Sequence, residues 1–311
     1  MVVENGETHL DPPLSLVIAS AAIRACFPDV RAAGLVHLGS GWDFDAFLTT
    51  DGWVFRFPRR AECAATLDTE RRLIDLVAQV LPPSVAVPAV ELDGQPGDAF
   101  PYKFTGHRFI RGVAADTVAS TVFSVTARSI GKALGAIHGV PESDARAAGI
   151  REMDVDDPGR QRWLDDRIVA ASALRCIDPV VDRAVDWVRD NARRPPAAFP
   201  RPLRLTHDDL SPEHLLVDPE TGELVGILDW SDAILGDPAR DFAPLVAWHR
   251  WAFADQVLRN YPHAIDSGFQ ERLRFTARVL SVLWLAEACE WTPDAADDIA
   301  RHVRWVHNVF A

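Results

Sequence analysis

The run His207-Asp208-Asp209-Leu210-Ser211-Pro212-Glu213-His214 is followed by Leu215-Leu216-Val217-Asp218 and then by Gly226-Ile227-Leu228-Asp229-Trp230, setting carboxylates and imidazoles at the two ends of a short strand pair. Such a set suits a site that holds a divalent metal and moves a phosphoryl group. The reason is charge. A nucleoside triphosphate is strongly anionic, so a protein that uses one must hold Mg2+ with hard ligands and keep a further carboxylate near the incoming hydroxyl. Asp209 lies early in the loop, His214 follows it by five residues, and Asp229 comes after a hairpin.

These side chains need rigid supports, and the neighbouring pattern supplies them. Leu203-Arg204-Leu205 reads as a strand entering the loop, Leu215-Leu216-Val217 as the next, and residues 224–228 as its partner, with Asp218-Pro219-Glu220-Thr221-Gly222 as the polar turn. Without chemistry, the same letters would describe an acidic surface hairpin.

Upstream, residues 14–27 can form a helix. Residues 35–47 can form a strand, a turn through Ser40, Gly41, Trp42 and Asp43, and a returning strand; Trp53-Val54-Phe55-Arg56-Phe57 alternates as another, closed by Pro58. Small residues in the turn let backbone N–H groups approach phosphate, although Leu38-Gly39-Ser40-Gly41 lacks the full GxGxxG spacing. In residues 64–80, Leu67, Glu70, Leu73, Ile74 and Val77 recur at helical steps, so Glu70 can sit beside the inward stripe. Arg56 and Glu70 then read either as a cation for phosphate with its holder or as a surface ion pair.

With these motifs in place, the chain resembles the aminoglycoside and macrolide phosphotransferases, antibiotic-modifying enzymes with a protein-kinase-like fold, from Gly39 to about Tyr261. The resemblance implies an α+β, two-lobed architecture: a small β-rich nucleotide-binding lobe over residues 1–110 and a larger helical, acceptor-binding lobe over 111–311, with the nucleotide between them. It implies that Asp209 orients or deprotonates the acceptor hydroxyl, and that His214 and Asp229 bind Mg2+. Arg56 stands where the family usually has lysine, Glu70 is its partner, and Ser40 and Gly41 approach the phosphates. Gly106-His107-Arg108-Phe109-Ile110-Arg111-Gly112 is similar to the hinge, so the backbone around Phe109 and Ile110 would meet the base of GTP or ATP. Gly236-Asp237-Pro238-Ala239-Arg240-Asp241-Phe242 resembles the family's sequel to the metal motif, whose last Asp supports the catalytic loop.

His214 and the acidic residues Asp208, Asp232, Asp237, Asp255, Glu287 and Glu290 favour an aminoglycoside acceptor. A macrolide 2'-phosphotransferase is the nearest alternative, because residues 53–60, 207–218 and 227–231 also resemble that branch and the late aromatic residues could line a pocket for a macrocycle. A nucleotide-binding regulator with a lapsed site is the third reading.

Composition agrees with an enzyme of this size. The 311 residues are 48% hydrophobic and 25% charged, enough for a sizeable core. A net charge of -13 argues against nucleic acid or an acidic membrane surface as partner and favours a cationic small molecule such as an antibiotic; no obligate protein partner is expected. Met1 to Gly6 carry Glu4 rather than a basic leader, and residues 14–22 are too short to span a bilayer, so a cytoplasmic location is expected. Cys26, Cys63, Cys176 and Cys289 are too scattered for a zinc or redox set and read as reduced, packed thiols.

From residue 117 to 138, Phe123, Ala127, Ile130, Leu134 and Ile137 recur with helical spacing; further helices are expected over 163–174, 180–190, 252–259, 272–290 and 295–310, and another strand over 85–92.

Overall fold

The computed structural model describes residues 13–154, 157–174, 178–199, 201–291 and 295–311. Met1 to Gly6 and Cys176 lie outside the described residues. The chain divides into two compact units: the described residues up to Asp75 with Pro88–Ile110, and Leu76–Val87 with Arg111–Ala311.

In the first unit, β1 (Val36–Ser40), β2 (Phe44–Leu48), β3 (Trp53–Pro58), β4 (Leu92–Gly94) and β5 (Phe104–Arg108) form one antiparallel sheet in the order β1-β2-β3-β5-β4. Strand alternation assigns its two faces different work. Phe55 and Phe57 of β3 join Phe47, Phe100 and Phe104 in a core closed by Ala19, Ala22 and Ile23 of α1 (Leu16–Cys26). The Phe57 and Phe104 rings stack with centroids 4.4 Å apart. Arg56, one step out of phase, points from the opposite face. Gly106 of β5 has no room for a side chain, since an added Cβ would lie 2.8 Å from the Phe55 ring and 3.1 Å from Leu92 Cβ. Helix α2 (Ala61–Val80) carries the expected stripe, with Leu67, Leu73, Ile74 and Val77 buried.

The second unit is mostly helical: α3 (Phe123–His138), α4 (Glu142–Ala147), α5 (Pro158–Ser172), α6 (Pro179–Asn191), α7 (Ala239–Leu258), α8 (Phe269–Trp291) and α9 (Ala296–Phe310). Helix α6 starts sharply because Asp178 Oδ1 accepts the N–H groups of Val180 at 2.7 Å and Val181 at 3.0 Å, while Pro179 fills the first turn, where its missing N–H costs nothing. Its inward face, Val181, Ala184, Val185 and Val188, packs in one cluster with Val282, Leu283, Leu285 and Ala286 of α8 and Val306 of α9.

Short strands carry the polar loops. β6 (Val113–Ala114), β8 (Leu215–Val217) and β9 (Leu224–Ile227) form one sheet; β7 (Arg204–Thr206) pairs with β10 (Ile234–Gly236). The β8–β9 turn is fixed by Asp218 Oδ1, which accepts the N–H groups of Glu220 at 2.9 Å and Thr221 at 2.8 Å, and by Gly222 at φ +76°.

Several expectations are revised. The strand expected over 85–92 reduces to a bridge from Ala86 to Gly226 and to β4, because Pro88 lacks a donor and the chain there passes from the second unit to the first. Residues 76–87 belong with the second unit rather than with a single N-terminal lobe ending at 110. The helix expected from 252 begins at Ala239 and is broken at His249 and Arg250, the latter at φ +68°. Helix α5 starts at Pro158, five residues before the expected 163, because Asp157 caps it by accepting Arg160 N–H at 2.8 Å.

Leu283, 1% exposed among α6, α8 and α9 side chains, is a direct test of this packing. Leu283→Ala is expected to lower stability by about 3 kcal/mol, read as a lower urea midpoint at unchanged slope.

Candidate active site

The second unit assembles the loop between β7 and β8 around a buried carboxylate. Asp241, in the first turn of α7 and fully buried, accepts His207 N–H through Oδ2 and Asp208 N–H through Oδ1, both at 2.9 Å. Its Oδ2 also lies 2.9 Å from His138 Nε2, and His138 Nδ1 is 2.9 Å from the Tyr261 hydroxyl. Burial works against the Asp241 charge, but His138, His207 and the donated N–H groups outweigh it and hold its pKa below the usual carboxylate value.

His207 is likewise fully buried and has both nitrogens assigned by its partners. Nε2–H donates to Leu228 O at 2.9 Å, and Nδ1 accepts Asp209 N–H at 3.3 Å. Burial lowers its pKa against the pull of Asp241, and both ring nitrogens are engaged in holding the loop. It also ties the residue before Asp229 to the residue carrying Asp209.

His214 lies between the two carboxylates, its Nδ1 3.4 Å from Asp209 Oδ2 and its Nε2 3.8 Å from Asp229 Oδ2. Nδ1 donates to Asp209 O at 2.8 Å, which leaves Nε2 turned to Asp229. Burial opposes a charge on His214, yet Asp209 and Asp229 outweigh it and raise its pKa. For Asp209 the order is reversed: burial leads, Asp229 and Glu213 add repulsion, and its pKa is raised despite His214 and His207. Asp209 remains 34% exposed. Asp229 sits at φ +55° and takes a hydrogen bond from Ser231 Oγ at 2.8 Å; Asp208 sits at φ +68°. Two non-glycine residues held in this disfavoured region, one on each side of the constellation, store local strain at the site.

Among the described residues no group of three or more His, Cys, Asp or Glu is arranged to hold a metal ion. His214 Nε2 and Asp229 Oδ2 form a two-donor pair. That fits Mg2+, which keeps waters and takes further oxygens from bound phosphate rather than from an all-protein cage.

The acidic residues expected to attract an amine separate into classes. Asp208 is held by the half-buried Arg240, with Nη2 2.8 Å from Oδ2, and Asp237 by Arg272 at 2.5 Å, so neither is a spare charge. Glu290 pairs with Arg167 at 2.5 Å. Asp255 lies beside Trp251, Gln270 and Arg274 in a separate surface recess of 350 Å³. Glu287 differs: no described residue hydrogen-bonds its carboxylate, and burial, with repulsion from Asp209 and Glu290 overcoming Arg167, pushes its pKa up to about 7.

In the first unit, Arg56 and Glu70 meet at 2.5 Å, with side chains 13% and 5% exposed, which excludes a surface pair. The Arg56 guanidinium lies 4.3 Å from the Phe44 ring centre. Ser40 Oγ is 3.0 Å from His37 Nε2, and Gly41 N–H donates to Phe44 O at 2.8 Å. Phe109 is 44% exposed, but its N–H is already engaged, donating to Gly52 O at 3.0 Å. Ile110, half-buried, ends the unit. His107 is buried on β5 and donates from Nδ1 to Arg108 O at 2.9 Å; burial drives its pKa down to about 4. His138, on α3, and Tyr261, beyond the end of α7, escaped the sequence reading because lone residues carry no spacing signal, and Arg240 was given no role within its motif.

A family model for the phosphotransferase enzyme family matches residues 34–274. The chain belongs to that family. Among solved structures, the GDP complex of aminoglycoside 2'-phosphotransferase-IIIa aligns with TM-score 0.72 and 21% identity, over 95% of this chain and 98% of that one. The macrolide 2'-phosphotransferase MphH from Brachybacterium faecium gives TM-score 0.60 and 24% identity, over 93% and 97%. The gentamicin complex of APH(2")-IIa gives 0.62 and 17%, over 96% and 97%. Together they show the protein-kinase-like fold, with its β-sheet unit and larger helical unit. An uncharacterized protein of Bacillus subtilis (strain 168), YcbJ, is 32% identical over 115 residues; the match spans 37% of this chain and 35% of that curated relative.

Removing Arg240 strands a charge, since the Asp208 side chain is only 12% exposed. Arg240→Gln should cost about 3 kcal/mol. The double variant with Asp208→Asn, which tolerates the left-handed backbone, should recover most of that loss in the same urea titration.

Proposed function

We propose that the protein transfers the terminal phosphoryl group of a nucleoside triphosphate to a hydroxyl of an antibiotic, most favourably an aminoglycoside. The observation that carries this reading is the convergence of Asp209, His214 and Asp229, with Asp209 kept protonatable by burial and partly open to an acceptor. Asp209 receives or orients the acceptor's hydroxyl proton as the oxygen attacks phosphorus. His214 and Asp229 would hold Mg2+, which when bound would supply charge compensation to the phosphates. Arg56, steadied by Glu70, opposes phosphate charge; as guanidinium it offers a fork where an amine would offer a point. The transfer proceeds through alignment and charge compensation with no covalent enzyme intermediate.

Donor and acceptor are read by analogy and by charge. Relatives of this fold have been solved with GDP and with streptomycin and ATP, which supports GTP or ATP as donor. Glu287, to which no described residue donates a hydrogen bond and whose pKa burial and the nearby Asp209 help to raise, supports an acceptor that carries an ammonium group. No helix among the described residues is long and apolar enough to cross a membrane. A cytoplasmic location is proposed on the ground that the triphosphate donor is abundant there.

The deciding measurement is a nucleotide-consumption assay with GTP and ATP across aminoglycosides and macrolides, products weighed by mass spectrometry. Phosphate added to aminoglycosides supports the reading; phosphate on macrolides alone reassigns the acceptor, and nucleotide binding without turnover on either class points to a regulator. Asp209→Asn should lower kcat about a thousandfold with nucleotide affinity kept, because Asn cannot accept the proton. Asp229→Asn should instead raise the Mg2+ concentration needed for half-maximal rate.

Glu287 gives the acceptor reading its own pH signature. Its carboxyl is charged above about pH 7, so the apparent affinity for a permanently cationic acceptor should rise from pH 6 to pH 8. Glu287→Gln should flatten that rise; an unchanged profile would remove Glu287 from acceptor binding.

A further inference from the structure

The recess that holds Asp255 is walled by three helices of the second unit. Gln270, Arg274 and Arg278 of α8 recur every four residues and so share one stripe; Trp251 and Asp255 of α7 form a second wall, and Val309, Phe310 and Ala311 at the end of α9 a third. One side chain ties two of these walls together. Where α7 breaks, Asn308 Nδ2 donates to Ala247 O at 2.9 Å and to Trp248 O at 3.1 Å, and its Oδ1 accepts Arg250 Nε–H at 3.1 Å. Trp251 and Val309, each next in sequence to this clasp, both line the recess.

Two cations of the recess lack oxygen partners. The Arg278 guanidinium lies 5.1 Å from the Trp187 ring centre and 5.5 Å from that of Phe310, and its Nε–H is enclosed with no acceptor among the described residues. Ring faces ease the burial of its charge, but they do not supply the oxygens that a guanidinium fork is shaped to meet. Arg274, one turn earlier, is exposed and has no ion-pair or hydrogen-bond partner among the described residues. By contrast, Arg240 and Arg272 each hold a carboxylate. In a chain of net charge -13, arginines left unpaired on successive turns stand out. Asp255 lines the same recess yet pairs with neither, so two guanidinium groups stand against the one side-chain carboxylate.

We propose that this recess is a second ligand site, which takes a small organic monocarboxylate with an apolar body. Arg274 and Arg278 bind the carboxylate, and Trp251, Val309 and Phe310 receive the body. The 350 Å³ of the recess falls at the small end of the range for ligand pockets, which fits a body of about one ring with a short tail. Asp255 disfavours a dianion, because a second negative charge would meet its carboxylate in the same enclosure. The site shares no residue with the constellation of Asp209, His214 and Asp229, and it does not depend on the phosphotransfer reading.

Calorimetric titration of the full chain with 3-phenylpropanoate and with hexanoate, nucleotide absent, tests the site. Saturable binding is expected for at least one of them, and 3-phenylpropanamide, of the same shape without the charge, should not bind. Arg274→Gln changes an exposed side chain and should weaken carboxylate binding about tenfold with the unfolding midpoint kept; Arg278→Lys keeps a charge near the rings but loses the fork, and should weaken it similarly. With 15Nε-labelled arginine, the Arg278 signal, identified by its absence from Arg278→Lys, should move with the carboxylate and stay in place with the amide. Phenyl phosphate, a dianion, should bind more weakly than 3-phenylpropanoate, and Asp255→Asn should narrow that difference. A wild-type protein that binds neither carboxylate, or binding that survives both arginine substitutions, overturns the proposal. Phenyl phosphate bound as tightly as 3-phenylpropanoate overturns the assignment of a monoanion.

Discussion

Everything in the second unit's site hangs on one carboxylate with no access to water. Asp241 accepts two successive backbone N–H groups and faces an imidazole, so its charge is spread over three partners at 2.9 Å each. A buried carboxylate is tolerable only when its lone pairs are so occupied, and removal of any partner would leave the cost of burial uncompensated. The arrangement fixes the peptide between His207 and Asp208, and His207 passes that constraint to Leu228. Two loops far apart in sequence thereby share one anchor, and Asp209 and Asp229 are set from it.

Strain is the counterpart of that anchoring. Asp208 and Asp229 hold left-handed backbone that ordinary L-residues avoid. Asp208 is kept there by its N–H bond to Asp241 and by the Arg240 fork, and Asp229 is braced by Ser231. The result is a site whose carboxylates face His214 before any ligand arrives, which limits the reorganisation left for the reaction itself.

What the sequence disclosed depended on whether a feature was periodic or punctual. The β3 strand, α2 stripe and β8–β9 hairpin were legible because alternation, helical spacing and a polar turn are local patterns. Asp209, His214 and Asp229 were legible because their spacing is a chemical pattern, and Arg56 with Glu70 followed from a strand and a helix read correctly. The partners that hold them were not. His138 meets Asp241 across 103 residues of chain and Tyr261 across 123, and nothing local announces either meeting. The acidic residues misled for the same reason: whether Asp208 or Asp237 is spare depends on Arg240 and Arg272, whose side chains arrive only on folding. The strand expected over 85–92 failed because an apolar run says nothing about which unit its ends will join.

Arg56 has a consequence outside the reaction. The chain contains lysine only at positions 103 and 132, so the cation proposed to oppose phosphate is a guanidinium and not an amine. Acylating nucleotide probes, which capture kinases by modifying an amine beside the triphosphate, have no nucleophile to attack at this position. A chemoproteomic survey built on such reagents would pass over this protein even with its nucleotide site filled.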